Sequence, residues 1–373
     1  MIRILCLIIF CFSTISFAET IPLPPSISLK QQQSVKKIID QTTEQNQSSE
    51  NTATKNPQIA IEEHIKPKVN KKAISGINIK LGVSNSDGDI YSPLASTICI
   101  FANEIDSEAC RIVRYDNNID ALLGLLNGDI DVLITNSLLS RYVVDGNEPF
   151  KNNMQHQKVR FVAAFSNEQF TIVARRDAKI KQLDDLKGAS ISISKPHTKT
   201  RLFFEELMKV KQWQNGDFKQ VIEFSADDQI KAICNGDVQA IPIVGEEKNK
   251  YIKKVTRLCE VNVIGLSQEE MNLLSNDAQY VPDIIKGGEY IGVPRSINTI
   301  SAKTIILTTS DVENDLIEFL MNSISKNLNN IKLLHFALAN LTIEKMLNEG
   351  RIAPLHDGVN AFVNKNGYSS MLK

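Results

Sequence analysis

The sequence predicts an α/β protein built as two similar lobes, and three observations predict it. One phrase is written twice: "GLLNGDIDVLITN", ending at Asn136, returns as "AICNGDVQAIPIVG" from Ala232. Short apolar runs alternate with amphipathic stretches over most of the chain, the pattern of strands joined by crossover helices. Each copy of the phrase also has its own close pair of cysteines, Cys99 with Cys110 and Cys234 with Cys259.

Within each copy an apolar-periodic stretch (Ile119, Leu122, Leu123 and Leu126; then Ile230, Ile233 and Cys234) runs into Asn-Gly-Asp. This reads as a helix stop, with Gly128 and Gly236 in the left-handed conformation that glycine adopts without strain. The apolar runs that follow, Val132 to Thr135 and Ala240 to Val244, suit strands buried on both faces of a parallel sheet. Helix, glycine and strand recur in any α/β protein. Here the copies lie about 108 positions apart, too far for a solenoid, whose units recur every ~20 to 50 residues. Two lobes, each with its own sheet, are therefore expected.

The first residues, "MIRILCLIIFCFSTISFAET", combine Arg3, an apolar run from Ile4 to Phe12, and Ser16 and Ala18 at signal-peptidase spacing. Residues 1–18 read as a cleaved export signal. Residues 19–75, rich in Gln, Ser, Thr, Asn and Lys, read as a disordered polar leader. No later run is long enough for a membrane helix, so a periplasmic location is expected. The 42 Lys+Arg balance 43 Asp+Glu, which argues against a nucleic-acid partner despite the basic "KPKVNKK". In an exported chain the four remaining cysteines most simply form two disulfides, and of three connectivities the pairing within each lobe is the most economical. Zinc fits worse, because neither pair is a C-x-x-C and no histidine stands nearby in sequence.

From Ile77 the elements follow in order. "INIKLGVS" is a strand, "NSDGDIYSP" a turn, and about Leu94 to Glu104 a helix. "CRIVRY" is the second strand, and the first phrase supplies the next helix and strand. "VRFVAAF" and "FTIVARR" cross to the second lobe, where "KIKQLDDLKG" reads as a short helix ending at Gly188. After "PHTKTRLFFEELMKVKQW", a loop opening an amphipathic helix, come "QVIEFS" and the second phrase. "ISAKTIILTTS" is a long return strand, and Asp311 is placed to cap the helix after it. His335 falls in an apolar helix. The lobes are thus 76–166 and 167–298, with 299–373 returning to the first.

In "FTIVARRDAKIKQLDDLKGASISISKP", "GGEYIGVPRSINTISAKTIILTTSDV", "LLHFALANLTIEKMLNEG" and "APLHDGV" the chain resembles the TAXI family, the extracytoplasmic solute-binding subunits of TRAP transporters. The resemblance runs from about Gly76 to Tyr368, and both cysteine pairs look like those of its alphaproteobacterial branch. It implies the periplasmic-binding-protein fold, two α/β lobes joined by crossing strands around a central ligand cleft. It also implies a small organic anion as ligand, glutamate-like or a dicarboxylate, TRAP membrane subunits as partners, and no cofactor. A monomer is expected.

By the same resemblance the first cleft loop holds Ser84, Gly88 and Tyr91. Asn118 stands in the second, where Ala121 replaces an expected Asn, and Ser137 follows the first phrase. In "KPHTKTR", Thr198 matches the family hydroxyl and Arg201 offers a bidentate carboxylate contact, while His197 and Lys199 replace two glycines. Gly245 matches the family in "VGEEK", but Glu246 and Glu247 do not, and they would repel a dianion unless Lys248 or Lys199 compensates. His356 reads as structural.

The sequence holds no nucleophile elbow, Walker loop or metal-spaced histidine pair. A carrier without catalysis is therefore expected. The alternatives are an ABC-type solute-binding protein, or an exported interaction or immunogenic protein whose cleft has degenerated.

Overall fold

The computed structural model describes residues 77–84, 90–147, 149–151, 153–275 and 280–373. The export signal and leader read in residues 1–75 lie outside the described residues. Ile79–Ser84 (β1) leads to Tyr91–Ile105 (α1), Cys110–Tyr115 (β2), Asn118–Asn127 (α2), Val132–Asn136 (β3) and Ser137–Val144 (α3). Val159–Arg175 (β4) is followed by Ser190–Ser192 (β5), Lys199–Val210 (α4), Gln220–Ile222 (β6), Ala226–Asn235 (α5) and Ala240–Glu246 (β7). Then come Lys250–Leu258 (α6), Val261–Ile264 (β8), Gln268–Leu274 (α7), Val281–Ile285 (β9) and Ile297–Thr309 (β10). Asn314–Lys326 (α8), Leu328–Leu334 (α9), Ile343–Asn348 (α10) and Asp357–Lys365 (α11) complete the chain.

The fold is mixed α/β around a central sheet, as the alternation predicts. Two separate sheets were expected, and here the structure differs. Among the described residues the hydrogen-bonded ladder is one sheet of ten strands with the order β2-β1-β3-β10-β4-β7-β5-β6, β8 pairing with β4 and β9 with β10. The reason lies in the lengths of two strands. β4 has 17 residues and β10 has 13, so each is long enough to serve both halves. "VRFVAAF" and "FTIVARR" are one strand, not two.

The register defines the two halves. β3 pairs with Thr304 to Thr308 of β10, whereas β9 pairs with Ile297 to Ser301 of the same strand. β7 pairs with Glu168 to Ala174 of β4, beyond the register shift between Lys303 and Ile305. Each half is covered on both faces, which explains its continuous apolar strands. Ile306 packs with Leu81, Ile98 and Ile317, while its neighbour Ile305 packs with Leu125 and Leu133 on the other face. In the second half Ile172 packs with Ile191 and Phe203, and Val173 with Ile233 and Val255.

Both glycine stops are present. Gly128 (φ 78°) and Gly236 (φ 90°) end α2 and α5 in the left-handed region, each turning its N–H back to carbonyls of the last helical turn. The cysteines stand at disulfide distance, with Cα–Cα separations of 4.9 Å for Cys99–Cys110 and 5.4 Å for Cys234–Cys259.

Several local readings are corrected. α1 starts at Tyr91, because the Leu94 N–H already bonds to the Ile90 carbonyl. Leu183–Leu186 is a single 3₁₀ turn, too short for an α-helix. Asp311 pairs with Lys158 at 2.7 Å and does not cap α8, which Glu313 precedes. His335 lies beyond α9, where its Nδ1 accepts the Ala337 N–H. α6, β8, α7 and β9 are not among the elements read from the sequence: β8, α7 and β9 have only 4 to 7 residues, while α6 is amphipathic, with Ile252, Val255 and Thr256 on its buried side.

Candidate functional site

The sheet directions bring two sets of strand ends together. β3 runs parallel to β4 and ends at Asn136, opposite Thr304; β7 runs antiparallel to β4 and ends at Glu246, opposite Glu168. The C-terminal edges of both halves therefore converge on the middle of the two long strands. In open α/β sheets this edge is where helix N-termini and turn backbone collect and where ligands bind.

At the centre stands Glu168, fully buried. Its Oε1 accepts the Tyr91 hydroxyl at 2.5 Å and the Thr304 hydroxyl at 2.9 Å, and its Oε2 receives the Lys199 ammonium. Lys199 itself is 8% exposed, its Nζ 5.2 Å from the centroid of the Tyr91 ring. The cluster joins the first turn of α1, both crossing strands and the first turn of α4. Burial raises the carboxyl's pKa, but the Lys199 charge and the hydrogen bonds from Lys199 and Tyr91 outweigh it and hold the group below its ordinary value. A cation left unpaired here would be expensive, so each member of the pair requires the other.

Beside this pair lies a cavity of about 250 Å³ lined by Asn118, Ser194, Lys199, Gln229, Glu246 and Asn249, among others. Three helices begin at its wall. Thr198 caps α4 by accepting the Arg201 N–H at 3.2 Å, Ser225 caps α5 through Asp228, and Asn249 caps α6 through Tyr251 and Ile252. Three helix N-termini give the wall positive potential, so it can hold an anionic group. Glu246, buried at the end of β7, adds a carboxylate to the same wall.

The residues singled out in the sequence are distributed as follows. Ser84 is buried at the end of β1, and Tyr91 is in the central cluster. Asn118 and Thr198 line the cavity. Ser137 is buried at the start of α3, its Oγ accepting the Lys303 N–H at 2.9 Å. Gly245 leaves room for Asn249, whose amide nitrogen would lie 2.0 Å from a Cβ at this position. Gly88 lies outside the described residues. Arg201 stands apart from this group: its guanidinium holds Glu205 at 2.5 Å and Glu223 at 2.6 Å and lines a neighbouring cavity of about 170 Å³ with His197, Tyr142 and Phe150. His356 is structural. Its Nδ1 accepts the Gly358 N–H, so Nε2 carries the proton and donates to the Val312 carbonyl at 3.1 Å.

Sequence reasoning missed Glu168. A signal existed in the polar quartet Ser166-Asn167-Glu168-Gln169, set between two apolar runs that proved to be one strand. Its odd and even members face opposite ways. Asn167 and Lys303 bond on the far face, 2.6 Å apart, next to Asp283, which accepts Asn167 at 2.9 Å. The sequence reads Lys199 as a replaced glycine and as a counter-charge to Glu246 and Glu247, and the structure pairs it with Glu168. Among the described residues no cluster of three or more His, Cys, Asp or Glu side chains is placed to hold a metal ion.

Fold and site together define a two-halved α/β scaffold with a polar cleft at facing strand ends. Within that class, the chain belongs to the NMT1-like family, whose model matches residues 84–367. Among solved structures it is similar to the periplasmic aliphatic sulphonate binding protein of Escherichia coli, with 14% identity over 78% of this chain and 79% of that one and a TM-score of 0.45. It is also similar to a Prochlorococcus marinus protein in complex with methylphosphonate, with 13% identity over 78% of this chain and 98% of that one and a TM-score of 0.44. No curated protein matches the sequence.

Proposed function

We propose that this NMT1-like protein is an extracytoplasmic solute-binding protein that captures a small organic anion and performs no chemistry on it. Within that reading, the stretches that resemble TAXI subunits make TRAP membrane subunits its partners and a glutamate-like acid or a dicarboxylate its solute. The observation that carries the reading is the convergence of both sets of strand ends on Ser166 to Gln169, beside a cavity walled by three helix N-termini. Ser84, Tyr91, Asn118, Ser137, Thr198 and Gly245 are the proposed contacts around it, and Arg201 is the proposed contact from the adjoining cavity.

A thermal-shift screen of small acids on the chain from about Ser75 onward tests this. A solute at one hundred times its dissociation constant adds about 2.7 kcal/mol of stability, a shift well within measurement. Absence of any shift across amino acids, keto acids and dicarboxylates would remove the solute-binding reading. It would favour the second one, an exported interaction protein whose cleft is filled by its own Lys199 and Glu168.

A further inference from the structure

Resting on the reading of the cleft as a solute site, we infer that Glu168 is its charge-selectivity determinant: by committing Lys199 to an internal ion pair, it restricts the cleft to ligands with one net negative charge. Lys199 is the only buried lysine among the described residues that line the 250 Å³ cavity; Lys195 and Lys250, also along it, are exposed. A ligand carboxylate directed at the long strands meets an ammonium already held by Glu168, with Tyr91 and Thr304 holding the same carboxylate from the other side. Glu168 thus neutralises the buried ammonium that would otherwise balance a second net negative charge on the ligand. Glu246, on the cavity wall, adds repulsion against any such excess charge. The three helix N-termini remain, and their partial charges complement one net negative charge.

A matched pair of probes separates this from a structural role. Glutamate and glutarate share a carbon chain and differ by one ammonium group, so they are a monoanion and a dianion at neutral pH. Binding is measured by calorimetry on the full chain, wild type and Glu168→Gln. The amide keeps the shape and the Tyr91 and Thr304 contacts but frees the Lys199 charge, and a charged hydrogen bond to a ligand is the strong kind.

Wild type is expected to prefer glutamate, and Glu168→Gln to raise glutarate affinity about tenfold or more relative to glutamate. An unchanged glutamate-to-glutarate ratio in a variant that still binds would overturn the inference alone. Loss of all binding in both proteins would overturn the solute-binding reading and the inference with it. Should Glu168→Gln fail to fold with its unpaired lysine, the double variant Glu168→Gln with Lys199→Met decides. Both charges are then gone, the wild-type preference for glutamate is expected to persist, and a gain of glutarate binding there would also overturn the inference.

Discussion

Ser166 and Thr304 face each other across the two long strands, their hydroxyl oxygens 2.9 Å apart, beside the one-residue register shift between Lys303 and Ile305. Thr304 gives its proton to Glu168, so Ser166 is the donor to Thr304. The point where the two halves meet is therefore tied by a directed chain, Ser166 to Thr304 to Glu168. Thr304→Val keeps the shape and removes both links, leaving a buried hydroxyl and a buried carboxylate short of a partner. The expected loss is about 1–3 kcal/mol, read from the urea midpoint. A change within error would mean that water replaces the hydroxyl.

The two glycine stops are expected to differ in their response to alanine. A side chain in the left-handed region costs about 1–2 kcal/mol. At Gly128 nothing lies within 4 Å of the new Cβ, so Gly128→Ala should cost that strain and no more. At Gly236 the Cβ meets Arg175 Nη1 at 2.6 Å, and this guanidinium also holds the Ile233 carbonyl at 3.3 Å. Gly236→Ala should cost more than Gly128→Ala, and parallel denaturation curves show whether it does.

The cysteine pairs should respond in a set order to reductant. Cys99 and Cys110 are each 5% exposed, whereas Cys234 and Cys259 are half-buried. Mild dithiothreitol should open the second pair first, as mass spectrometry of alkylated thiols reads directly. Closing loops of 11 and 25 residues, each bond contributes about 3 kcal/mol in the chain-entropy model. Full reduction should therefore lower the melting temperature in two steps.

Acid should destabilise the fold in two windows. Burial depresses the His356 pKa below its ordinary 6.5. As pH falls through that value the unfolded chain takes up a proton that the folded chain refuses, and stability drops until the folded imidazole also titrates. Glu168, lowered from 4.5, repeats this further down: its contribution is present above the unfolded value and is lost as pH falls through the folded one. His356→Asn retains a capping acceptor and has no titrating ring. Its stability should fall less than that of wild type between about pH 7.5 and 5.5. Equal slopes in the two proteins would show that other groups carry the upper window.

Much of this architecture was legible in one dimension. The duplicated phrase identified two helix-glycine-strand units because Gly128 and Gly236 answer a local backbone demand, a positive φ, that no distant contact supplies. The long apolar runs announced strands covered on both faces, and the spacing of the cysteines announced their pairing. Each of these depends on residues near one another in sequence. The site was less legible. Tyr91, Glu168, Lys199 and Thr304 come from four elements, with 77 positions between Tyr91 and Glu168 and 136 between Glu168 and Thr304, and no local rule selects such a set.

The sequence by itself determined the α/β class, the two helix-glycine-strand units, the glycine stops and the cysteine partners, because periodicity and turn chemistry act over a few residues. Only the tertiary structure decided that the two half-sheets join into one ladder through β4 and β10. It also decided that a lysine standing in place of a glycine would find its counter-charge in the strand between them. A buried charge is tolerated only beside its opposite, and which residue serves as that opposite depends on how separate elements meet in space.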